Sequence, residues 1–187
     1  MANAKKKQEG YYASIKRRDP AARNSWAIFW LYPSVRALRW YKLSPFFWKI
    51  HFKFLAEMIM HHASRTTGIE IHPAAKIGRN LFIDHGQGVI IGETAVIGDD
   101  VTIYHGVTLG GHTYNKVKRH PTIGDHVVIG TGAKILGPIT IGDYAKVAPN
   151  VVIRHDVPAC HTAFGDKNFR PNCHNYDKEE NPDSKEK

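Results

Sequence analysis

The sequence predicts a mainly β protein: a parallel β-helix of hexapeptide repeats behind an N-terminal α-helical region. Three observations carry this. First, a branched aliphatic residue returns every sixth position at thirteen in-phase sites: Ile71, Ile77, Ile83, Ile91, Ile97, Ile103, Leu109, Ile123, Ile129, Ile135, Ile141, Val147 and Ile153. Second, glycine follows that site at Ile77, Ile91, Ile97, Leu109, Ile123, Ile129 and Ile141. Third, a small or apolar residue often stands four places after it, as at Ala75, Ala95, Val101, Val127, Ala133 and Ala145. Neither the helical period of 3.6 nor a strand's alternation of 2 explains a strict six. Short strands stacked coil upon coil do. The aliphatic residue points into a narrow interior, and glycine stands where a side chain would collide. The alternative, ordinary buried strands in a sandwich, has no reason to keep phase over thirteen sites.

Taken in order, residues 1–8 form a basic start, and 9–67 read as helical with breaks at Pro20, Pro33 and Pro45. Asp19 is expected to cap a helix opened by Pro20. Ser34 is expected to cap a helix running to about Leu43, and Ser44-Pro45 another running to about Ser64. Phe46, Phe47, Ile50, Phe54 and Met58 form one apolar stripe. That stripe is read as packing on the β-helix or a sister subunit, in preference to a membrane surface. The repeat domain spans 68–158 with two breaks in phase: a step of eight from Ile83 to Ile91, and the loop 110–122. A loop inserted into a regular solenoid marks function, because the scaffold does not need it. A C-terminal extension, 159–187, follows, with a mobile end expected.

At 187 residues, 42% hydrophobic and 23% charged, the chain has the make-up of one soluble globular domain. Its net charge of +9 suits an anionic partner, but the cations are scattered, without the basic, aromatic-laced block of a nucleic-acid binder. The apolar region Ser25–Met60 is broken by six charged residues, too many for a membrane span. No secretory signal opens the chain, and two cysteines, Cys160 and Cys173, are read as free thiols in a reducing cytoplasm. No CxxC pair or helical His–His spacing suggests a metal.

Three pieces could do chemistry: Glu70-Ile71-His72-Pro73, Asp84-His85-Gly86 and Arg119-His120-Pro121. Histidine moves protons near neutral pH. Most of the histidines, among them His62, His105, His126, His155 and His161, are read as structural or exposed. His85 differs because Asp84 and Gly86 flank it. Glu70 precedes His85 by 15 residues, close to one coil, which predicts a carboxylate–histidine pair across adjacent coils. A carboxylate on the far ring nitrogen fixes the tautomer and stabilises the imidazolium.

The segments GIEIHPAAKIG, IDHGQGVIIGETAVIGDDVTIYHGVTLGG and KRHPTIGDHVVIGTGAKILG resemble serine O-acetyltransferases, within the hexapeptide-repeat acyltransferases. The likeness runs over roughly residues 16–165 and takes in the entry segment KRRDPAARNSW and YPSVRALRWYKLS. The resemblance implies a left-handed β-helix, a homotrimer that also pairs in longer members, and a pocket between subunits. It implies acetyl transfer from acetyl-CoA to L-serine, the first step of cysteine biosynthesis. His85 matches the family's base and Glu70 the position where many members carry Asp. Asp19, Asp84, Arg119 and His120 match residues that hold the amino acid. Gly111, Thr131 and Lys146 lie where the family binds coenzyme A, and the backbone N–H groups of Gly110 and Gly111 are candidate oxyanion donors. The family's C-terminal Ile, which docks into the next enzyme of cysteine synthesis, is missing here, so no tail-mediated complex is expected. Two rivals remain open: a related O-acetyltransferase acting on homoserine or a sugar, and a non-catalytic β-helical scaffold.

Overall fold

The computed structural model describes residues 9–172. Four helices lead: α1 (Tyr11–Arg18), α2 (Ser25–Leu31), α3 (Pro33–Lys49) and α4 (Lys53–Thr67). Coil one follows as β1 (Ile69–Ile71), β2 (Lys76–Ile77) and β3 (Phe82–Ile83). Coil two holds β4 (Val89–Ile91), β5 (Val96–Ile97) and β6 (Thr102–Ile103), and coil three β7 (Thr108–Gly110), β8 (Thr122–Ile123) and β9 (Val128–Ile129). Coil four holds β10 (Lys134–Leu136), β11 (Thr140–Ile141) and β12 (Lys146–Val147), and β13 (Val152–Ile153) begins a fifth. A hairpin, β14 (His161–Gly165) and β15 (Asn168–Pro171), closes the described chain.

The strands stack in parallel into three faces: face A is β1-β4-β7-β10-β13, face B β2-β5-β8-β11, and face C β3-β6-β9-β12-β14, with β15 antiparallel at its edge. Twelve of the thirteen periodic aliphatic residues are buried and line the axis; Ile77 is the one partly exposed. The glycines after them do prevent a collision. A Cβ on Gly98 would lie 2.8–2.9 Å from the Gly124 backbone, and one on Gly142 2.4 Å from Ala159 N. Positive φ falls instead two residues later, at Asn80, Asp100, His126 and Tyr144, which stack with Cys160 along the corner between faces B and C. Beside them Asp99 and Asp125 each accept a backbone N–H from one coil up, from Arg79 at 2.7 Å and from Asp99 at 2.8 Å.

Coil length explains the two breaks in phase. Ile69 registers on Val89 and Phe82 on Thr102, so coil one takes 20 residues. Ile90 registers on Thr108, a coil of 18. The two extra residues of coil one lie in the turn Asp84–Gly88, where the chain turns back beneath residue 68 (Gly88 N–H to Gly68 O, 2.9 Å). The interruption at 110–122 swells the next turn so that Val96 registers on Thr122.

The helical region departs from expectation at Asp19 and at two of its prolines, and its apolar stripe lacks one of the two expected packings. Asp19 ends α1 rather than opening a helix, because its Oδ1 accepts the Ala21 N–H (2.8 Å) in a tight local turn. Pro33, not Ser34, starts α3, and α3 runs through Pro45 without a break. Pro45 has no N–H for the Tyr41 carbonyl, and the Ser44 hydroxyl donates to that oxygen instead (3.2 Å). The apolar stripe is not packed on the β-helix: Phe46, Phe54 and Met58 are 61%, 77% and 51% exposed. The helices attach elsewhere. Arg18 donates to the carbonyl oxygens of Asn80 (2.6 Å), Asp100 and Val101 and stacks over Phe82, while Ile15, Ile28 and Val35 bury against the same ring.

Cys160 is disulfide-bonded, which corrects the free-thiol expectation. The hairpin returns the chain to it, with the Asn172 N–H donating to Cys160 O at 2.8 Å. Cys173 and the C-terminal tail, with the readings made of them, lie outside the described residues, as do residues 1–8. Among the described residues no helix is long and apolar enough to cross a membrane.

Candidate active site

The turn that carries the two extra residues also carries His85. Its φ is +58 and that of Gly86 is +76, so two consecutive residues take the left-handed region. For a residue other than glycine this costs on the order of 1 kcal/mol. The result is an imidazole held off the coil, with a side chain 75% exposed. Asp84, at the end of β3, places Oδ1 4.0 Å from His85 Nε2, and the His105 ring lies edge-on at 5.9 Å. The ladder Ile83–Ile103–Ile129 stacks His85, His105 and Thr131 in one column at the corner between faces C and A.

Asp19 meets the same corner from the helical side. Its Oδ2 accepts the Tyr32 hydroxyl at 2.5 Å. Partial burial, that hydrogen bond and the charges of Asp19 and Asp84 push the Tyr32 hydroxyl up to about 12. Two carboxylates therefore act on the Tyr32 hydroxyl, and one of them, Asp84, stands beside the exposed imidazole.

Arg119 and His120 occupy the opposite edge of face A, where the end of the loop 110–122 docks on the turn 92–95. Thr94 organises it: its Oγ1 accepts the backbone N–H groups of Arg119 and His120, both at 3.0 Å. The Thr94 N–H donates to His120 Nδ1 (3.1 Å), so the neutral ring carries its proton on Nε2. Burial, then the charge of Arg119, lowers the pKa of His120. Arg119 pairs with Glu93 at 3.1 Å and keeps donors free for a second anion. Lys118 secures the loop by donating to the carbonyls of Thr94 (2.7 Å), His120 (2.6 Å) and Pro121 (3.2 Å). Gly92 leaves the space this needs, since a Cβ there would lie 2.0 Å from the His120 ring. His72, one coil above, is lowered by burial too, and its Nδ1 accepts the Ala74 N–H (3.1 Å).

The expected site residues thus divide between two edges. Asp19, Asp84, His85 and Thr131 gather at the corner of faces C and A, with Lys146 on face C. Arg119 and His120 gather at the corner of faces A and B, where a Cβ on Gly111 would stand 3.3–3.4 Å from both; Gly110 ends β7 on that side. Across the three residues of β4 the edges are ~10 Å apart. Glu70 sits between them, exposed at the centre of β1 and registered on Ile90. The 15-residue offset does not stack Glu70 on His85, because the coil takes 20 residues and His85 stacks on His105 instead. Glu70 has no hydrogen bond or ion pair to His85 within the chain, although Gly86 abuts Ile69, the residue before Glu70. Tyr32, Thr94 and Glu93 escaped the sequence reading. Tyr32 stood in view before Pro33, but nothing in its spacing tied it to Asp19.

The coiled architecture and the corner turns define a hexapeptide-repeat protein. Residues 120–155 match the family described as bacterial transferase hexapeptide (six repeats), whose architecture is the left-handed β-helix. Serine acetyltransferase from Helicobacter pylori is 56% identical over 153 residues, covering 82% of this chain and 90% of its own. The Neisseria gonorrhoeae serine acetyltransferase solved with serine superposes at a TM-score of 0.78 and 38% identity, over 81% of this chain and 62% of its own. A serine acetyltransferase solved with CoA gives 0.76 and 39%, over 85% and 65%. This chain therefore spans under two thirds of the length of those two solved enzymes. The chain belongs to the serine acetyltransferase family.

Proposed function

We propose that the protein transfers the acetyl group of acetyl-CoA to the hydroxyl of L-serine, giving O-acetyl-L-serine and CoA, the step that opens cysteine synthesis. The observation that carries this is that Asp19 and Asp84 both act on the Tyr32 hydroxyl, with Asp84 beside an exposed His85. Two carboxylates suit an α-ammonium, whose charge they can neutralise as well as accept from. Arg119 with His120 supplies the complementary receptor for an α-carboxylate. Relatives at 38–39% identity solved with serine and with CoA support the same pair of substrates.

In this reading His85 Nε2 takes the serine hydroxyl proton as the oxygen bonds to the thioester carbonyl carbon. Asp84 stabilises the imidazolium by its charge at 4.0 Å. The oxyanion is met by backbone donors around Gly110 and Gly111. Collapse breaks the C–S bond, and the departing thiolate takes the proton from His85. The acetyl group passes directly: among the described residues no cysteine stands beside His85, and Cys160, at the corner of faces B and C, is committed to a disulfide. Gly111, Thr131 and Lys146 hold coenzyme A.

The two edges of face A are too far apart for one chain to enclose an amino acid of serine's size. The site is completed between subunits of a homotrimer, the His85 edge of one facing the Arg119 edge of the next. The exposed stripe Phe46, Phe54 and Met58 is the face left for further contact between subunits, including pairing of trimers. Thiol release from acetyl-CoA with L-serine, L-homoserine and amino sugars tests the reading. Serine is expected to be preferred; release with an amino sugar alone would refute it, and none with any acceptor would favour a scaffold.

A further inference from the structure

Tyr32 has no role in the chemistry above, yet its hydroxyl stands among the charged groups of the His85 corner. Asp19 is held at both oxygens: Oδ1 by the Ala21 N–H at 2.8 Å and Oδ2 by the Tyr32 hydroxyl at 2.5 Å. The first contact is a local turn; the second comes from another helix junction and aims the carboxylate. Tyr32 is itself fixed. It is the extended residue before Pro33, with φ −77 and ψ 118, and its ring packs 6.4 Å from that of Phe82. Phe82 is buried and opens β3, the strand that leads directly into Asp84. A single aromatic residue thus links the helical carboxylate to the strand that leads into the other.

The charges at this corner make such a link necessary. Partial burial, the hydrogen bond to Asp19 and the charges of Asp19 and Asp84 keep the proton on the Tyr32 hydroxyl, which serves only as a donor. Two carboxylates near one point repel, and an unrestrained Asp19 would turn toward solvent. A neutral O–H donor holds it in place while leaving lone pairs on both oxygens for an incoming cation. We infer that Tyr32 is a positioning residue that sets the enzyme's selectivity for acceptors carrying an α-ammonium group. The inference rests on the serine-acetylating reading and adds to it a residue and a specificity.

The test compares wild type with Tyr32→Phe, which keeps the ring on Phe82 and removes only the hydroxyl. Thiol release from acetyl-CoA gives kcat and KM for L-serine. 3-Hydroxypropionate, which is serine without its ammonium, is measured as a competitor against serine. Loss of one charge-assisted hydrogen bond predicts a serine KM raised about tenfold, with kcat within about twofold. The KM for acetyl-CoA and the inhibition constant of 3-hydroxypropionate are expected to stay unchanged. A serine KM equal to wild type would overturn the inference, and so would equal weakening of serine and its ammonium-free analogue, the mark of a merely structural role. A wild type inactive toward serine would instead defeat the functional reading, and the inference with it.

Discussion

At His85 the backbone and the chemistry are one arrangement. The Asp84–Gly88 turn spends two residues more than a coil needs, and its product is an imidazole standing clear of the helix beside a carboxylate. Replacing His85→Ala should lower kcat by ~10²–10⁴-fold or more while leaving the thermal midpoint close to wild type, since the side chain is exposed. A variant that keeps its turnover would remove His85 from the mechanism. His72 and His120 give a pH prediction of definite sign. Burial is the first cause lowering both, so the unfolded chain binds protons at a pH where the folded one does not. Stability should therefore fall as pH drops through about 6.5, the ordinary histidine value. His72→Asn preserves an acceptor for the Ala74 N–H and should make that decline shallower in thermal melts; an unchanged slope would contradict it. Asp99, whose pKa is lowered chiefly by its hydrogen bond from Arg79, loses its contribution only below the ordinary carboxylate range. His85 was legible because Asp84 and Gly86 break the hexapeptide pattern around it. Tyr32 was not, because a contact across 13 residues of turn and helix leaves no period in a sequence.

The coils and the helices differ in how far their sequences declare them. Every coil repeats one steric requirement, an aliphatic residue inside and a glycine where the next coil approaches, so periodicity alone locates the strands. The step of eight and the loop 110–122 were visible as slips in phase, and each lengthens a coil at one edge of face A, where the proposed site residues lie. The 15-residue Glu70–His85 argument failed for a related reason: it assumed a uniform coil across the very slip that lengthens it to 20 residues. Prolines misled in the helical region. Pro45 was read as a boundary, but the Ser44 hydroxyl takes up the Tyr41 carbonyl that proline leaves free. Glycines provide the test at this scale. Gly98→Ala would press a methyl group against the Gly124 backbone and Asp125 Oδ1, and should destabilise by about 1–3 kcal/mol in denaturant unfolding. Gly10→Ala, with nothing within 4 Å, should be nearly neutral. Equal effects would mean that coil spacing is not set by these contacts.

On the scale of the molecule, the proposed function makes the site incomplete in a single chain. Groups suited to an ammonium and a proton lie on one edge of face A, and groups suited to a carboxylate on the other. The helical face adds exposed Trp26, Trp30, Phe46 and Phe54, a quantity of apolar surface that a lone soluble chain rarely leaves in water. Both features call for neighbouring subunits, which the periodicity could not reveal because a repeat describes a coil's own interior. Activity should therefore reside in a trimer and be lost on dissociation, as light scattering coupled to the thiol-release assay would show. The most direct measurement is complementation between two inactive variants. His85→Ala and Arg119→Ala chains are prepared separately and then refolded or co-expressed together, and acetylation of L-serine is followed. If each site takes His85 from one subunit and Arg119 from the next, random mixing restores both groups at about a quarter of the interfaces. Recovery to roughly that fraction of wild-type turnover is the predicted result. Mixed trimers as inactive as either parent, or full activity in a monomer, would contradict a site shared between subunits.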